Sequence, residues 1–133
     1  QAVADGATLK GADERRGAWF APGVLTGVES SAVARDELFG PVAMVFKVRD
    51  EAEAIRVAND TDYGLGSYIF TTDPEQARRV ASKLDAGMVF INGVNAMGPE
   101  MPFGGVKRSG FGRELGRLGI DEFLNRKMIR TVR

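Results

Sequence analysis

Gly66-Ser67-Tyr68-Ile69-Phe70-Thr71-Thr72-Asp73-Pro74-Glu75-Gln76-Ala77-Arg78-Arg79-Val80-Ala81-Ser82-Lys83-Leu84-Asp85-Ala86-Gly87-Met88-Val89-Phe90-Ile91-Asn92 carries the pattern that fixes the fold class. Gly66 to Thr71 reads as a strand. Asp73-Pro74-Glu75-Gln76 is a helix start: a capping acid, a proline at the first helical position, then an acid and an amide in the first turn. Ala77, Val80, Ala81 and Leu84 recur at i, i+3, i+4 and i+7, so one stripe faces a core. Gly87 fits the position after a helix end. Met88 to Asn92 reads as the next strand.

Upstream the same alternation holds. Val42 to Val48 is a short apolar run suited to a buried strand. Asp50 can cap a helix, with Glu53 completing a capping-box-like pair, and Ala54, Ile55 and Ala58 give that helix an apolar face. Strand, helix, strand, helix, strand at these spacings implies right-handed crossovers and parallel strands. Continuous apolar strands imply a sheet covered on both faces. The expected fold is α/β: three layers, with a mostly parallel sheet and helical crossovers, in a single domain over residues 1–133.

Toward the ends the pattern weakens. Gln1 to Trp19 is rich in Gly, Ala and charge, and a short helix end followed by loop is expected there. Phe20 to Val28 is expected to hold an edge strand, because Pro22 cannot donate to a ladder. Glu114 to Asn125 reads as a helix broken by Gly116 and Gly119. The tail, Met128-Ile129-Arg130-Thr131-Val132-Arg133, has strand propensity. Its backbone groups are either guarded by the arginines or recruit a partner edge.

Composition bounds the function classes. The chain has 133 residues, 44% hydrophobic and 27% charged, which excludes a disordered or fibrous chain. Eighteen basic and eighteen acidic residues cancel, so no long-range field draws in nucleic acid or an anionic membrane. No apolar run approaches the ~20 residues of a membrane span. Gln1 to Asp5 is polar and lacks the basic start and apolar stretch of a secretory leader, so a cytoplasmic location is expected. Cysteine and histidine are both absent, which removes disulfides, the usual zinc sites, a thiol nucleophile and any Ser-His-Asp or Cys-His arrangement within these residues. A first residue of Gln rather than Met suggests a fragment, a processed product or a trimmed chain.

Two constellations remain. Pro102-Phe103-Gly104-Gly105-Val106-Lys107-Arg108-Ser109-Gly110-Phe111-Gly112-Arg113-Glu114 packs four glycines between a strand and a helix. It is not a phosphate loop: Gly105 to Gly110 has the four-residue gap, but Phe111 follows where Lys is needed. The dinucleotide pattern fails for want of a third glycine after Gly112. Locally the run reads as a tight loop folded over a neighbouring surface. Lys107, Arg108 and Arg113 can bind a phosphate or carboxylate, but in a neutral chain they read as surface or ion-pair network. Glu100, Glu114, Asp121 and Glu122 are general acids by type alone, with no nucleophile to serve. Glu37-Leu38-Phe39 before Gly40-Pro41 fits a plain turn with a solvated acid and a core aromatic. It also has a functional reading, a carboxylate that accepts from a ribose cis-diol beside a ring that packs on a nicotinamide.

Five landmarks then occur in order: Glu37-Leu38-Phe39-Gly40-Pro41, Asn59-Asp60-Thr61-Asp62-Tyr63-Gly64-Leu65, Gly87-Met88-Val89-Phe90-Ile91-Asn92, Pro102 to Gly105, and Ser109 to Glu114 with Gly119 beyond. With them the chain resembles the aldehyde dehydrogenase superfamily over essentially its full length. The run from Met101 to Leu115 is similar to bacterial succinate-semialdehyde dehydrogenases, although the serine that some members carry before Pro102 is Met101 here. The resemblance implies one partial catalytic domain, the C-terminal segment of a larger enzyme. It implies that Glu37 contacts the nicotinamide-side ribose, Phe39 borders the nicotinamide and Phe103 lines the aldehyde tunnel. Asn95 and Met97 fall in the variable loop that shapes that tunnel. Residues 128–133 correspond to an oligomerisation strand that pairs with a neighbouring subunit of a homo-oligomer. NAD or NADP is the implied cofactor of the complete enzyme, a small aldehyde such as succinate semialdehyde its substrate and a carboxylic acid its product.

The family reaction is thiolate attack on the aldehyde, hydride transfer to NAD(P)+ and thioester hydrolysis. The nucleophilic cysteine, the glutamate base, the oxyanion asparagine and the dinucleotide-binding domain lie outside the matched region. These 133 residues alone are therefore expected to be inactive, to hold no cofactor tightly and to need the missing N-terminal part. A different class of reading is a stand-alone, non-catalytic assembly module that kept the oligomerisation surface.

Overall fold

The computed structural model describes residues 1–94 and 98–132. Contacts gather into two compact units, Gln1–Asp62 and Tyr63–Arg133. In the first unit β1 (Thr8–Gly11), β2 (Arg15–Arg16), β3 (Trp19–Phe20), β4 (Gly23–Thr26) and β5 (Val42–Val45) precede helix α1 (Glu51–Asn59). β4 is the middle strand of three: antiparallel to β1, with Leu9 opposite Leu25, and parallel to β5, with Leu25 opposite Met44. β2 and β3 form a short hairpin.

Two expectations are corrected here. The opening stretch begins with a turn over residues 2–6, closed by Asp5 N donating to the Gln1 carbonyl at 3.1 Å, but where loop was expected it then runs into strand β1. All four residues of β1 are exposed, so it carries no apolar period, and the edge of β4 makes it a strand. The segment around Pro22 is central rather than edge. Pro22 stands one residue ahead of β4, where a missing N–H costs no rung, and its carbonyl accepts from the Ala12 amide at 2.9 Å.

Burial alternates along β4, with Gly23 and Leu25 inside and Val24 exposed. Leu25 joins Ala2, Ala7 and Val28 in the core, and Val33, Leu38, Val42, Met44 and Phe46 pack around them. Val28 is fully buried. β5 is covered on one face within this unit: Val42 and Met44 are half-buried, Ala43 and Val45 exposed.

Helix α1 starts where its cap dictates. The Asp50 carboxylate accepts from the Glu53 amide at 2.8 Å. Glu53 reaches back one residue further than a capping box requires, accepting from the Arg49 amide at 2.9 Å and from Arg49 Nε at 2.9 Å. The Arg49 side chain and amide, with help from Arg56, hold the Glu53 carboxyl down at about 2 against an ordinary 4.5. A depressed carboxyl stabilises the fold above its unfolded pKa and loses that contribution as pH falls through the folded value. The stability advantage of the parent over Glu53→Gln is therefore expected to be full above pH 4.5 and to vanish as pH drops to about 2. Urea titrations of both chains across that window check it.

The second unit holds β6 (Tyr63–Gly64), β7 (Gly66–Ile69), α2 (Pro74–Ala81), β8 (Met88–Ile91), β9 (Val106–Lys107) and α3 (Gly116–Asp121). β7 and β8 pair in parallel across the α2 crossover, the expected strand–helix–strand unit. Asp73 caps α2, accepting from the Glu75 amide at 2.9 Å, with Pro74 in the first position. Ala77 is buried.

Gly87 does not end the helix. α2 stops at Ala81 with Ser82 as its cap. Gly87 instead enters β8, donating to the Gly64 carbonyl at 2.9 Å, and a Cβ there would stand 2.0 Å from the Gly104 oxygen. The C-terminal helix is also shorter than Glu114 to Asn125. Leu115 sits at φ 60°, which no right-handed helix accommodates, so the helical turns are confined to Gly116–Asp121. Met128, Ile129 and Val132 are exposed, and among the described residues the tail forms no strand, since a strand needs a partner edge. No helix among the described residues is long and apolar enough to cross a membrane.

Candidate functional site

The first unit presents the loop from Asp36 to Pro41. A 3-10 turn, Ala32–Arg35, leads into it, capped by buried Ser31. The Ser31 hydroxyl donates to Asp5 at 2.6 Å and accepts from the Val33 amide at 3.3 Å. The loop then tightens: Gly40 N donates to the Leu38 carbonyl at 2.7 Å and Val42 N to the Gly40 carbonyl at 2.8 Å.

Side chains alternate along this extended loop. Leu38 packs against the core, while Glu37 and Phe39 on either side of it face out. Phe39 is 96% exposed, so the plain-turn reading, which made it a core aromatic, is corrected: Leu38 is the anchor. The Glu37 carboxylate makes no hydrogen bond or ion pair among the described residues. An uncommitted acceptor and a bare ring therefore stand two residues apart. The carboxylate can accept from hydroxyl or amide donors, and the exposed ring offers a flat apolar face.

The second unit presents the glycine loop, which is clamped by its own backbone. Phe103 and Glu114 form an antiparallel bridge, with Phe103 N donating to the Glu114 carbonyl at 2.8 Å and Glu114 N to the Phe103 carbonyl at 2.6 Å. Arg113 Nη1 donates to the carbonyls of Gly105 at 2.9 Å and Gly112 at 2.6 Å. The Ser109 hydroxyl accepts from the Gly64 amide at 3.0 Å. Antiparallel pairing of β6 with β9 holds the loop from the other side. This is the tight loop over a neighbouring surface that its glycines predicted. The held Phe103 is half-buried on an open cleft of about 730 Å³, shared with Leu65, Phe111, Leu115 and Ile120.

The basic cluster is engaged internally. Arg113 is committed to two carbonyls, the Arg108 guanidinium lies 5.8 Å from the Tyr63 ring centre, and Lys107 stands 3.8 Å from Asp85. Sequence reasoning missed the clasp made by Arg113. Its one signal was an arginine directly after Gly112; the other carbonyl it binds belongs to Gly105, eight residues earlier. Asp121 pairs with Arg126 at 3.0 Å. No group of three or more potential metal ligands exists among the described residues.

Glu37 and Phe39 thus share one loop of the first unit, and Phe103 lines a cleft of the second. Asn95 and Met97 lie outside the described residues.

The chain belongs to the aldehyde dehydrogenase family, whose sequence model matches residues 1–129. It is 50% identical to the succinate-semialdehyde dehydrogenase [NADP(+)] of Deinococcus radiodurans over 98% of its own length and 28% of that enzyme's. It is 46% identical to a non-phosphorylating aspartate-semialdehyde dehydrogenase of Halomonas elongata, over 95% of this chain and 26% of that protein. Among solved structures, succinic semialdehyde dehydrogenase from Streptococcus pyogenes in complex with NADP+ superposes with a TM-score of 0.90 at 42% identity, covering 98% of this chain and 30% of that one. The fold is accordingly the α/β architecture of an aldehyde dehydrogenase catalytic domain, and the chain spans under a third of the length of these relatives.

Proposed function

We propose that residues 1–133 are the C-terminal part of one catalytic domain of an NAD(P)+-dependent aldehyde dehydrogenase that oxidises an aldehyde of the succinate-semialdehyde type to a carboxylic acid. The observation that carries this is the 50% identity to a succinate-semialdehyde dehydrogenase over 98% of the chain. When bound, the cofactor supplies the hydride acceptor. The chain's own residues bind and orient. Glu37 accepts from the ribose diol, Phe39 borders the nicotinamide, and Phe103, with Asn95 and Met97, walls the aldehyde tunnel. The uncommitted Glu37 carboxylate, the exposed Phe39 ring and the clamped backbone of Phe103 support these roles. No residue of the 133 is a cysteine, so the thiolate attack of the family reaction falls to a group outside them. Exposed Met128, Ile129 and Val132 support a tail that pairs with a strand edge in a second copy, and a cytoplasmic enzyme is the corresponding setting.

The test has two arms. The purified chain with succinate semialdehyde and either NAD+ or NADP+ is expected to form no reduced cofactor above the protein-free blank; turnover would overturn the reading. In an NMR titration with NADP+, weak shifts are expected at the amides of Asp36 to Gly40. Absence of those shifts, together with self-association lost on removing residues 128–133, favours a non-catalytic assembly module instead.

A further inference from the structure

We propose that Asn92-Gly93 is a deamidation site whose reactivity is gated by the pairing of β7 with β8. Asn92 is exposed and adopts φ 55°, a left-handed conformation that asparagine tolerates better than most residues. Gly93 follows it without a Cβ, and an ideal Cβ built there meets nothing nearer than the Ile91 oxygen at 3.9 Å. With no side chain on Gly93, nothing branched stands beside the nitrogen that must attack. The other described asparagines, Asn59 and Asn125, are followed by Asp60 and Arg126, whose side chains crowd the following nitrogen.

The chemistry needs only water and hydroxide. Hydroxide removes the Gly93 amide proton, and the nitrogen attacks Asn92 Cγ. The new N–Cγ bond closes a five-membered imide. The Cγ–Nδ2 bond breaks, and ammonia leaves with a proton from water. A second water opens the imide at either carbonyl and leaves aspartate or isoaspartate. No electron is transferred.

The fold holds the reacting group away from this path. Asn92 Oδ1 accepts from the Thr71 amide at 2.9 Å and Nδ2 donates to the Thr71 carbonyl at 2.8 Å. The Asn92 amide donates to the Ile69 carbonyl at 2.8 Å. The carboxamide thus acts as one more rung beyond the Ile69–Ile91 pair. Attack requires the side chain to swing back over the following peptide, which breaks both side-chain bonds, so reaction proceeds through local opening of the strand ends. The step is one-way. A carboxylate has acceptors only, so the Thr71 carbonyl loses its donor and faces a negative oxygen.

The test incubates the chain at mildly alkaline pH, folded and in urea, and maps peptides by mass spectrometry with an isoaspartate-specific methyltransferase assay. In urea, Asn92 is expected to gain its one-dalton increment before Asn59 and Asn125, and Gly93→Ala is expected to slow it. In the folded chain the same conversion is expected to be slower by about tenfold or more, the effect of two net hydrogen bonds. Equal rates with and without urea would remove the gate. Earlier modification of Asn59 or Asn125 in urea would remove the site.

Discussion

Gly87→Ala is expected to destabilise the chain by about 3 kcal/mol or more, at the upper end of what over-packing costs. The added carbon would stand 2.0 Å from the Gly104 oxygen and 2.8 Å from both the Gly104 carbonyl carbon and the Gly105 Cα. These are main-chain atoms and cannot rotate aside. Moving them displaces Phe103, whose backbone is bonded to Glu114 in both directions, and pulls at the contact of Arg113 with the Gly105 carbonyl. Urea titration reads the loss, and hydrogen exchange locates it: protection at the Phe103 and Glu114 amides falls first. A variant as stable as its parent contradicts the close approach.

Leu25→Ala is expected to cost about 2–4 kcal/mol, the sum of lost transfer energy and a residual cavity. Leu25 is 6% exposed on the middle strand, between Leu9 and Met44 in register. No neighbouring element can slide in without breaking one of two ladders. Val24, the preceding residue, points outward, and Val24→Ala is the matched control with a cost under about 1 kcal/mol. Trp19, the single tryptophan of the chain, lies in the same unit and reports its unfolding by fluorescence.

Legibility followed the range of the interactions concerned. Both long helices were read to the residue at their starts, because Asp50 and Asp73 act on amides two or three positions away. The β7–α2–β8 unit was legible for a similar reason: its period and turns are local. β1 was not, since Thr8 to Gly11 has no apolar alternation and is a strand only because β4 lies beside it. Gly87 was misread because a glycine after a helical run has two physical uses, ending the helix or admitting another backbone, and only the position of Gly104 decides between them. At the candidate site the acid–aromatic spacing of Glu37 and Phe39 was visible. Leu38 and Phe39 are both apolar, and the sequence does not say which of them goes inside. The clasp of Arg113 on two carbonyls showed in the sequence only as an arginine following Gly112, and nothing local ties that side chain to Gly105, eight residues earlier.

The contact between Gly87 and Gly104 also bears on how this segment can change over generations. Most interior contacts join two side chains, and a harmful enlargement on one side can be answered by a reduction on the other. Here both parties are already as small as a residue can be, and the obstructing atom belongs to the chain itself. A mutation at position 87 therefore has no suppressor to find at position 104, and drift there is halted at a single letter.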